Sequence, residues 1–208
     1  MFAGIIEARG RIDAAEKTAG NTRVAISAAQ FGMDDVSIGD SIAVNGVCLT
    51  VVENTAECFS VDVSQETLDC TIGFERGGVV NLEKSLRFGD RVDGHLVSGH
   101  VDGVGRVSAM EDLGASWRLK ILAPGELGRY VARKGSIAIN GVSLTVNRVD
   151  DGGSDCAFEV NIIPHTHSAT TLGHLKSGMK VNLEVDMLAR YIERMLSQSS
   201  VVRDTKGK

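Results

Sequence analysis

The sequence predicts an all-β chain, two small domains in tandem followed by one α-helix, and three observations carry that prediction. The stretch "SIAVNGVCLTV" at residues 41–51 returns as "SIAINGVSLTV" at 136–146, 95 residues later, with nine of eleven positions identical. In both halves, short runs alternate apolar and polar residues. Gly, Asn and Asp interrupt them at intervals of about ten residues, the spacing of a small barrel or sandwich. A single segment, residues 186–198, switches to helical periodicity.

The repeat extends along the whole chain. "GIIEARGRI" (4–12) aligns with "GHVDGVGRV" (99–107), again 95 apart. "FSVDVSQET" (59–67) aligns with "FEVNIIPHT" (158–166), 99 apart, and "VNLE" at 80–83 returns at 181–184, 101 apart. The offset grows as expected if loops gained residues while the elements held still. The two units span residues 1–95 and 96–187. Two copies are too few for a solenoid, so each must bury its own core, and 208 residues suffice for two domains of ordinary size.

Within the first copy the expected strands are "RVAISA" (23–28), "SIAVNGVCLTVVE" (41–53), "CFSVDVS" (58–64) and "GVVNLEKS" (78–85). The glycine of "NGV" fits a tight turn or bulge, since Gly takes positive φ without steric cost. In "DMLARYIERMLSQ" (186–198), Met187, Leu188, Tyr191, Ile192, Met195 and Leu196 fall on one helical stripe, with Asp186 as N-cap. The helix follows both repeats, so neither domain needs it to fold. Its stripe can pack back on a barrel or join the same helix of neighbouring chains. Residues 199–208 read as a frayed, flexible tail.

Composition excludes several classes. The chain is 43% hydrophobic and 24% charged with net charge −5 and interspersed signs, leaving no basic face for a nucleic-acid backbone. No run of eighteen apolar residues offers a transmembrane helix. The start, "MFAGIIEARG", lacks the basic region and long apolar core of a signal peptide. Cys48, Cys58, Cys70 and Cys156 show no C-x-x-C spacing, suggesting neither a zinc site nor a disulfide framework. A reduced, cytoplasmic protein is expected, with no membrane partner.

Common enzyme signatures are missing: there is no G-x-S-x-G, H-E-x-x-H or P-loop, and "SGHVDGVGRV" does not make G-x-G-x-x-G. His95 and His100 are five apart, so an extended chain sends them to opposite faces rather than to one metal. His165 and His167 would share a face, but no third ligand accompanies them; the alternative is two polar loop residues. Cys48 is either a small core residue or a pocket residue. Ser143 at the matching position would need a partner if buried, whereas a pocket rim accepts both. Thr50 and Thr145, two residues on, share that face. His100 stands where the first copy has Ile5, an ionisable group present in one copy only. Two similar pockets with unequal chemistry suit two molecules of one compound treated differently.

Taken together, "MFAGIIE", "GDSIAVNGVCLTV", "QETL", "GHLVSGHVDGVG", "KGSIAINGVSLTV", "IIPHT", "TTLG" and "VNLEVDMLARYIERML" resemble the alpha-type riboflavin synthases, built from two lumazine-binding repeats. The resemblance runs from Met1 to Leu196. It implies two six-stranded antiparallel Greek-key barrels, a C-terminal helix that joins a homotrimer, and an active site between barrels of neighbouring subunits. It implies a dismutation in which one 6,7-dimethyl-8-ribityllumazine gives a four-carbon unit to another, without metal or external cofactor. Lumazine synthase follows as a candidate partner.

By position, Gly4, Ile5 and Ile6 match a first ligand segment, joined in the first pocket by Cys48, Leu49, Thr50, Asp62, Val63, Ser64, Gln65, Glu66 and Thr67. The second-barrel matches are Gly99, His100, Val101, Lys134, Ser143, Leu144, Thr145, Ile162, Ile163, Pro164, His165, Thr166 and His167. Phe2, Ser41, Cys48 and His100 match residues linked to catalysis, and Asp186 an acidic residue near the site. His100 or Ser143 would assist removal of a proton from the acidic C7 methyl. Water, Ser41 and Cys48 are candidate nucleophiles at C7 of the partner molecule. Ala3 stands where threonine is usual, and His167 where a less polar residue is. Two rival readings are a non-catalytic lumazine- or flavin-binding protein of the same fold, and a flavin oxidoreductase, which would need a nicotinamide domain that the chain lacks.

Overall fold

Each half of the chain folds as six antiparallel strands. The computed structural model describes residues 1–18, 20–150 and 152–204, with the side chains of the last helix described as far as Ser197. The first half holds β1 (Ala8–Lys17), β2 (Asn21–Ser27), β3 (Ser41–Val44), β4 (Val47–Asn54), β5 (Cys58–Ser64), the short helix α1 (Gln65–Cys70) and β6 (Val79–Lys84). The second holds β7 (Gly103–Asp112), β8 (Trp117–Pro124), β9 (Ser136–Ile139), β10 (Val142–Asp150), β11 (Asp155–Ile162), α2 (Pro164–Ala169) and β12 (Lys180–Val185), followed by α3 (Met187–Asp204). Both sets close as barrels in the same order, β1-β2-β5-β4-β3-β6 and β7-β8-β11-β10-β9-β12, which is a Greek-key path. Even the bulges repeat: the ladders slip at Ile12/Ala14 and Val51/Glu53, and again at Val107/Ala109 and Val146/Arg148.

Strand alternation decides what faces inward. On β4, Val47, Leu49 and Val51 are buried while Cys48 and Thr50 point out. On β10 the outward positions are Ser143 and Thr145. Each core centres on a fully buried phenylalanine, Phe59 in the first barrel and Phe158 in the second. Burying such a side chain stabilises by about 1.5–3 kcal/mol.

The Asn-Gly pairs form tight turns in which both residues take positive φ, 47° and 80° at Asn45–Gly46 and 46° and 81° at Asn140–Gly141. The two turns meet. A Cβ on Gly46 would lie 2.7 Å from the nitrogen of Gly141. Around them four asparagines lock the barrels together: Asn81 Nδ2 donates to the Asn140 carbonyl at 2.9 Å, and Asn182 Nδ2 to the Asn45 carbonyl at 3.0 Å.

The segments leading into the barrels also cross. Phe2 and Val97 exchange two backbone hydrogen bonds, 2.8 and 3.0 Å. Phe2, Val97, Ala43 and Ala138 make a small third core between the barrels. Beyond that crossing, Ile6 packs on the second core and Val101 on the first. Each lead segment therefore dresses the other copy's barrel.

Asp186 caps α3, its Oδ1 accepting from Leu188 N at 2.9 Å. Polar contacts dock the helix: Arg190 on Asp102 at 2.9 Å and Glu193 on Arg129 at 3.2 Å. Most of its apolar stripe lies at the surface: Leu188, Tyr191, Ile192, Met195 and Leu196 are between 53% and 66% exposed. The helix continues past Gln198 to Asp204, through part of the stretch read as a tail, because no Gly or Pro stops it. Residues 205–208 of that tail lie outside the described residues. Among the described residues no helix is long and apolar enough to cross a membrane.

Candidate functional site: crossed lead segments

The outward face of β4 carries the first pocket. A cavity of about 210 Å³ is lined by Val47 and Cys48 of β4, by Glu66, Thr67, Cys70 and Thr71 of α1 and its end, and by Gly99, His100 and Val101. α1 starts where Ser64 Oγ accepts from Thr67 N at 3.1 Å, a capping contact that fixes Thr67 beside the cavity. Cys48 N donates to the Gly99 carbonyl at 2.8 Å, which seats the second lead segment on β4.

The second barrel repeats the arrangement with the first lead segment. Ser143 N donates to the Gly4 carbonyl at 2.8 Å. α2 occupies the place of α1, with Pro164 at its first turn and Thr170 Oγ1 donating to the Thr166 carbonyl at 2.7 Å. This corrects the grouping expected from sequence: Gly4, Ile5 and Ile6 accompany Ser143, and Gly99, His100 and Val101 accompany Cys48. Repeat alignment pairs residues in order along the chain and cannot show that the lead segments trade places.

The crossing also distributes the histidines. His100, exposed, stands at the Cys48 cavity, while His95 Nδ1 lies 2.7 Å from Ser143 Oγ. Burial holds the His95 ring below its ordinary value of 6.5, with the Asp186 charge pulling the other way. In its neutral form one tautomer accepts the Ser143 proton. The buried Nε2 has no hydrogen-bond partner among the described residues. Sequence reasoning did not select His95 for the site. The odd spacing that excluded a shared metal is consistent with the two histidines standing apart, His95 at Ser143 and His100 at the Cys48 cavity.

Buried carboxylates hold the lead segments. Glu83 accepts from Ala3 N at 2.7 Å and Gly4 N at 3.0 Å, and Glu184 from Ser98 N at 2.6 Å and Gly99 N at 2.9 Å. Burial pushes the Glu83 carboxyl up to about 7 against the lowering effect of the backbone amides of residues 3–5, and Glu7 adds to the rise. Burial raises Glu184 and Asp102 as well. A carboxyl raised on folding binds a proton that the unfolded chain releases. Its stabilisation is therefore complete below the ordinary 4.5 and is lost as pH rises through about 7. Glu83→Gln is expected to flatten part of the fall in Tm across that window; a thermal melt series in pH checks it, and an unchanged slope contradicts it.

Lys134 is one of three non-glycine residues with positive φ among the described residues, at 68°, and its repeat partner is Gly39 at 98°. Both N–H groups close the same turn, onto Val51 and Val146. A side chain kept where glycine would relieve strain of about 1–2 kcal/mol points to use of the ammonium. Lys134→Gly is expected to raise Tm while lowering activity, measured by melts and rates together. A loss of both would assign Lys134 to structure.

Several residues selected from sequence stand elsewhere. Leu49, Val63 and Ile162 turn their side chains into the core, as strand alternation requires, so only their backbone can face a ligand. Leu144 also packs against its core. Phe2 is fully buried between the barrels, with its ring against Gly99. Asp62 is held by a bidentate contact to Arg23, 2.8 and 2.9 Å, and Gln65 pairs with Asp69. Ser41 lines a different cavity, with Asp35, Lys84 and Arg87. Thr50, Thr145 and Lys134 are exposed on the outward faces, as are Ile163, Pro164 and His165 around α2. His167 stacks on Trp117 with ring centroids 3.8 Å apart. His165 and His167 lie on a helix, so strand parity does not apply to them. Among the described residues no group of three or more His, Cys, Asp and Glu could hold a metal.

Comparison with known proteins agrees with this geometry. The family pattern described as lumazine binding domain matches residues 3–85 and 98–186, one match per barrel. Riboflavin synthase of Photobacterium phosphoreum is 46% identical over 198 residues, covering 94% of this chain and 89% of the relative. That of Mycobacterium bovis is 43% identical over 94% of this chain and 98% of the relative, and that of Bacillus subtilis 37% identical over 96% and 92%. A solved structure of LumP complexed with riboflavin superposes with a TM-score of 0.80 at 27% identity, over 89% of this chain and 99% of LumP. LumP complexed with 6,7-dimethyl-8-(1'-D-ribityl) lumazine gives 0.77 at the same identity and coverage.

Proposed function

The chain belongs to the riboflavin synthase family, built from two lumazine-binding domains, and we propose that its two crossed pockets each hold one substrate for the family's reaction. That reaction is a transferase dismutation: two molecules of 6,7-dimethyl-8-ribityllumazine give riboflavin and 5-amino-6-(ribitylamino)uracil, closing riboflavin biosynthesis. One observation carries the assignment to pockets. Both barrels present the same outward position, thiol Cys48 or hydroxyl Ser143, and each is served by its own histidine, His100 or His95.

The geometry accounts for what each part does. Backbone groups of the seated lead segments and the hydroxyls of Thr67 and Thr166 read the polar parts of the ligand. At Ser143, a neutral His95 accepts the hydroxyl proton and makes Oγ the better base toward the acidic C7 methyl. Cys48, at the same register, faces the other substrate. Holding two substrates in fixed relation replaces a bimolecular encounter, an effect worth up to about 7–11 kcal/mol. The residues supply binding and proton transfer, and no external cofactor enters the reading.

The chain then divides into domains at residues 1–95 and 96–187, with the helix of 188–198 and beyond for assembly. The exposed apolar face of α3 supports a homotrimer, with an active site completed by one barrel from each of two neighbours. Unpaired cysteine spacing supports a cytoplasmic location, and association with lumazine synthase is checked by co-sedimentation.

The test is incubation of the purified chain with 6,7-dimethyl-8-ribityllumazine and no cofactor. Riboflavin and 5-amino-6-(ribitylamino)uracil in equal amounts, with two substrates consumed per riboflavin, are expected. Tight binding without product would leave the non-catalytic lumazine- or flavin-binding reading in place.

A further inference from the structure

We propose that Glu83 and Glu184 are positioning residues that each build the pocket of the opposite barrel. The inference rests on the pocket assignment above and adds residues that touch neither ligand nor reacting atoms. Glu83 belongs to β6 of the first barrel, yet the atoms it holds are Ala3 N and Gly4 N, at 2.7 Å and 3.0 Å. The next contact of that segment is the Gly4 carbonyl on Ser143 N, in the second barrel. Glu184 belongs to β12 of the second barrel. It holds Ser98 N and Oγ, each at 2.6 Å, and Gly99 N at 2.9 Å. The Gly99 carbonyl then receives Cys48 N, in the first barrel.

The chemistry of the grip is specific. Each carboxylate collects successive backbone N–H groups at a glycine with positive φ, 75° at Gly4 and 80° at Gly99. Convergent N–H groups of this kind form a small anion-binding concavity, which a carboxylate fills and a neutral amide fills poorly. Both glutamates are only 3% exposed, and a buried carboxylate is costly unless its hydrogen bonds are made. The same expensive solution stands at both repeat positions. Opposite each, on β3 and β9, sits a small residue, Ala43 against Glu83 and Ala138 against Glu184, leaving room for the segment.

The control therefore runs crosswise. Loosening Glu83 frees the segment whose Gly4 carbonyl is seated on Ser143 and whose Ile6 packs on the second core. Loosening Glu184 frees the one that carries His100 and Val101 to the Cys48 pocket.

Full-length Glu83→Gln and Glu184→Gln test this with two readouts. Hydrogen exchange, without ligand, is expected to rise most at the Ala3 and Gly4 amides in the first variant and at the Ser98 and Gly99 amides in the second, while the paired Phe2 and Val97 amides respond in both. Riboflavin is then titrated, and its protection of Cys48 against alkylation is read by mass spectrometry. Glu83→Gln is expected to weaken one of two bound riboflavins about tenfold while Cys48 stays protected; Glu184→Gln should remove the protection and spare the other site. Ser98→Ala deletes one of the three bonds to Glu184. It should act in the same direction about threefold, and it decides the matter should a Gln variant fail to fold.

Exchange rising equally at both pairs of clamped amides or at neither, or Cys48 protection lost through Glu83, would overturn the proposal. A wild-type chain that binds no riboflavin would instead sink the functional reading, while the exchange data would still decide the clamp.

Discussion

Gly99→Ala is expected to lower kcat/KM by about 10²-fold or more and to destabilise the chain by about 2–4 kcal/mol. The residue has φ +80°, and a Cβ there would lie 2.5 Å from Cys48 Cβ, 2.9 Å from Cys48 N and 3.0 Å from the Phe2 ring. None of these atoms ends a flexible side chain. The segment must lift from β4, which breaks the bond from Cys48 N and displaces His100. About 1 kcal/mol comes from the backbone conformation alone and the rest from the forced repacking. Gly114→Ala separates the two contributions: φ is +83° there but nothing lies within 4 Å, so it should cost about 1 kcal/mol and leave activity intact. Steady-state rates and denaturant melts on the two variants check the contrast. A Gly99 variant with normal rates would mean that the seated segment is not part of the site.

The double change Ile192→Asp, Met195→Asp is expected to leave a folded monomer with activity reduced by about 10²-fold or more. Both side chains are exposed, 53% and 63%, so the single chain loses no core contact. Placed together at an assembly interface, the new carboxylates would be desolvated without partners and would repel their copies. Polar contacts to Arg129 and Asp102 already hold the helix on its own chain, and its exposed apolar stripe faces outward to meet another. Sedimentation and activity are measured on one sample. Loss of assembly with full activity would place both substrates within one chain.

Much of this was legible in the residues because duplication prints each signal twice. "SIAVNGVCLTV" offered the Asn-Gly turn and put Cys48 and Thr50 on one strand face, since period-two alternation is a local property, while leaving open whether that face was core or pocket. The helix start at Asp186 was equally local. What escaped was whatever depends on the path between elements. The lead segments cross because Phe2 and Val97 pair between the barrels, and no repeat alignment encodes that. Leu49, Val63 and Ile162 entered the site through motif matching, and their own alternation leaves only their backbone to serve there. His95 escaped because its partner, Ser143, lies 48 positions away. Glu83 and Glu184 escaped because a carboxylate amid apolar strand residues reads as an ordinary outward polar position, and only the structure shows them buried on backbone amides.

The most direct test of two pockets acting on one reaction is complementation between chains. Thr67→Arg fills the Cys48 pocket, and its repeat partner Thr166→Arg fills the other; both stand on short helices outside the barrels. Each variant alone should be inactive. Co-expressed and purified as mixed assemblies, they should regain a substantial fraction of wild-type riboflavin formation, because some neighbouring barrels then present one intact pocket of each kind. Mixed assemblies that stay inactive, with mixing confirmed by native mass spectrometry, would contradict a reaction shared between the two pockets of neighbouring chains.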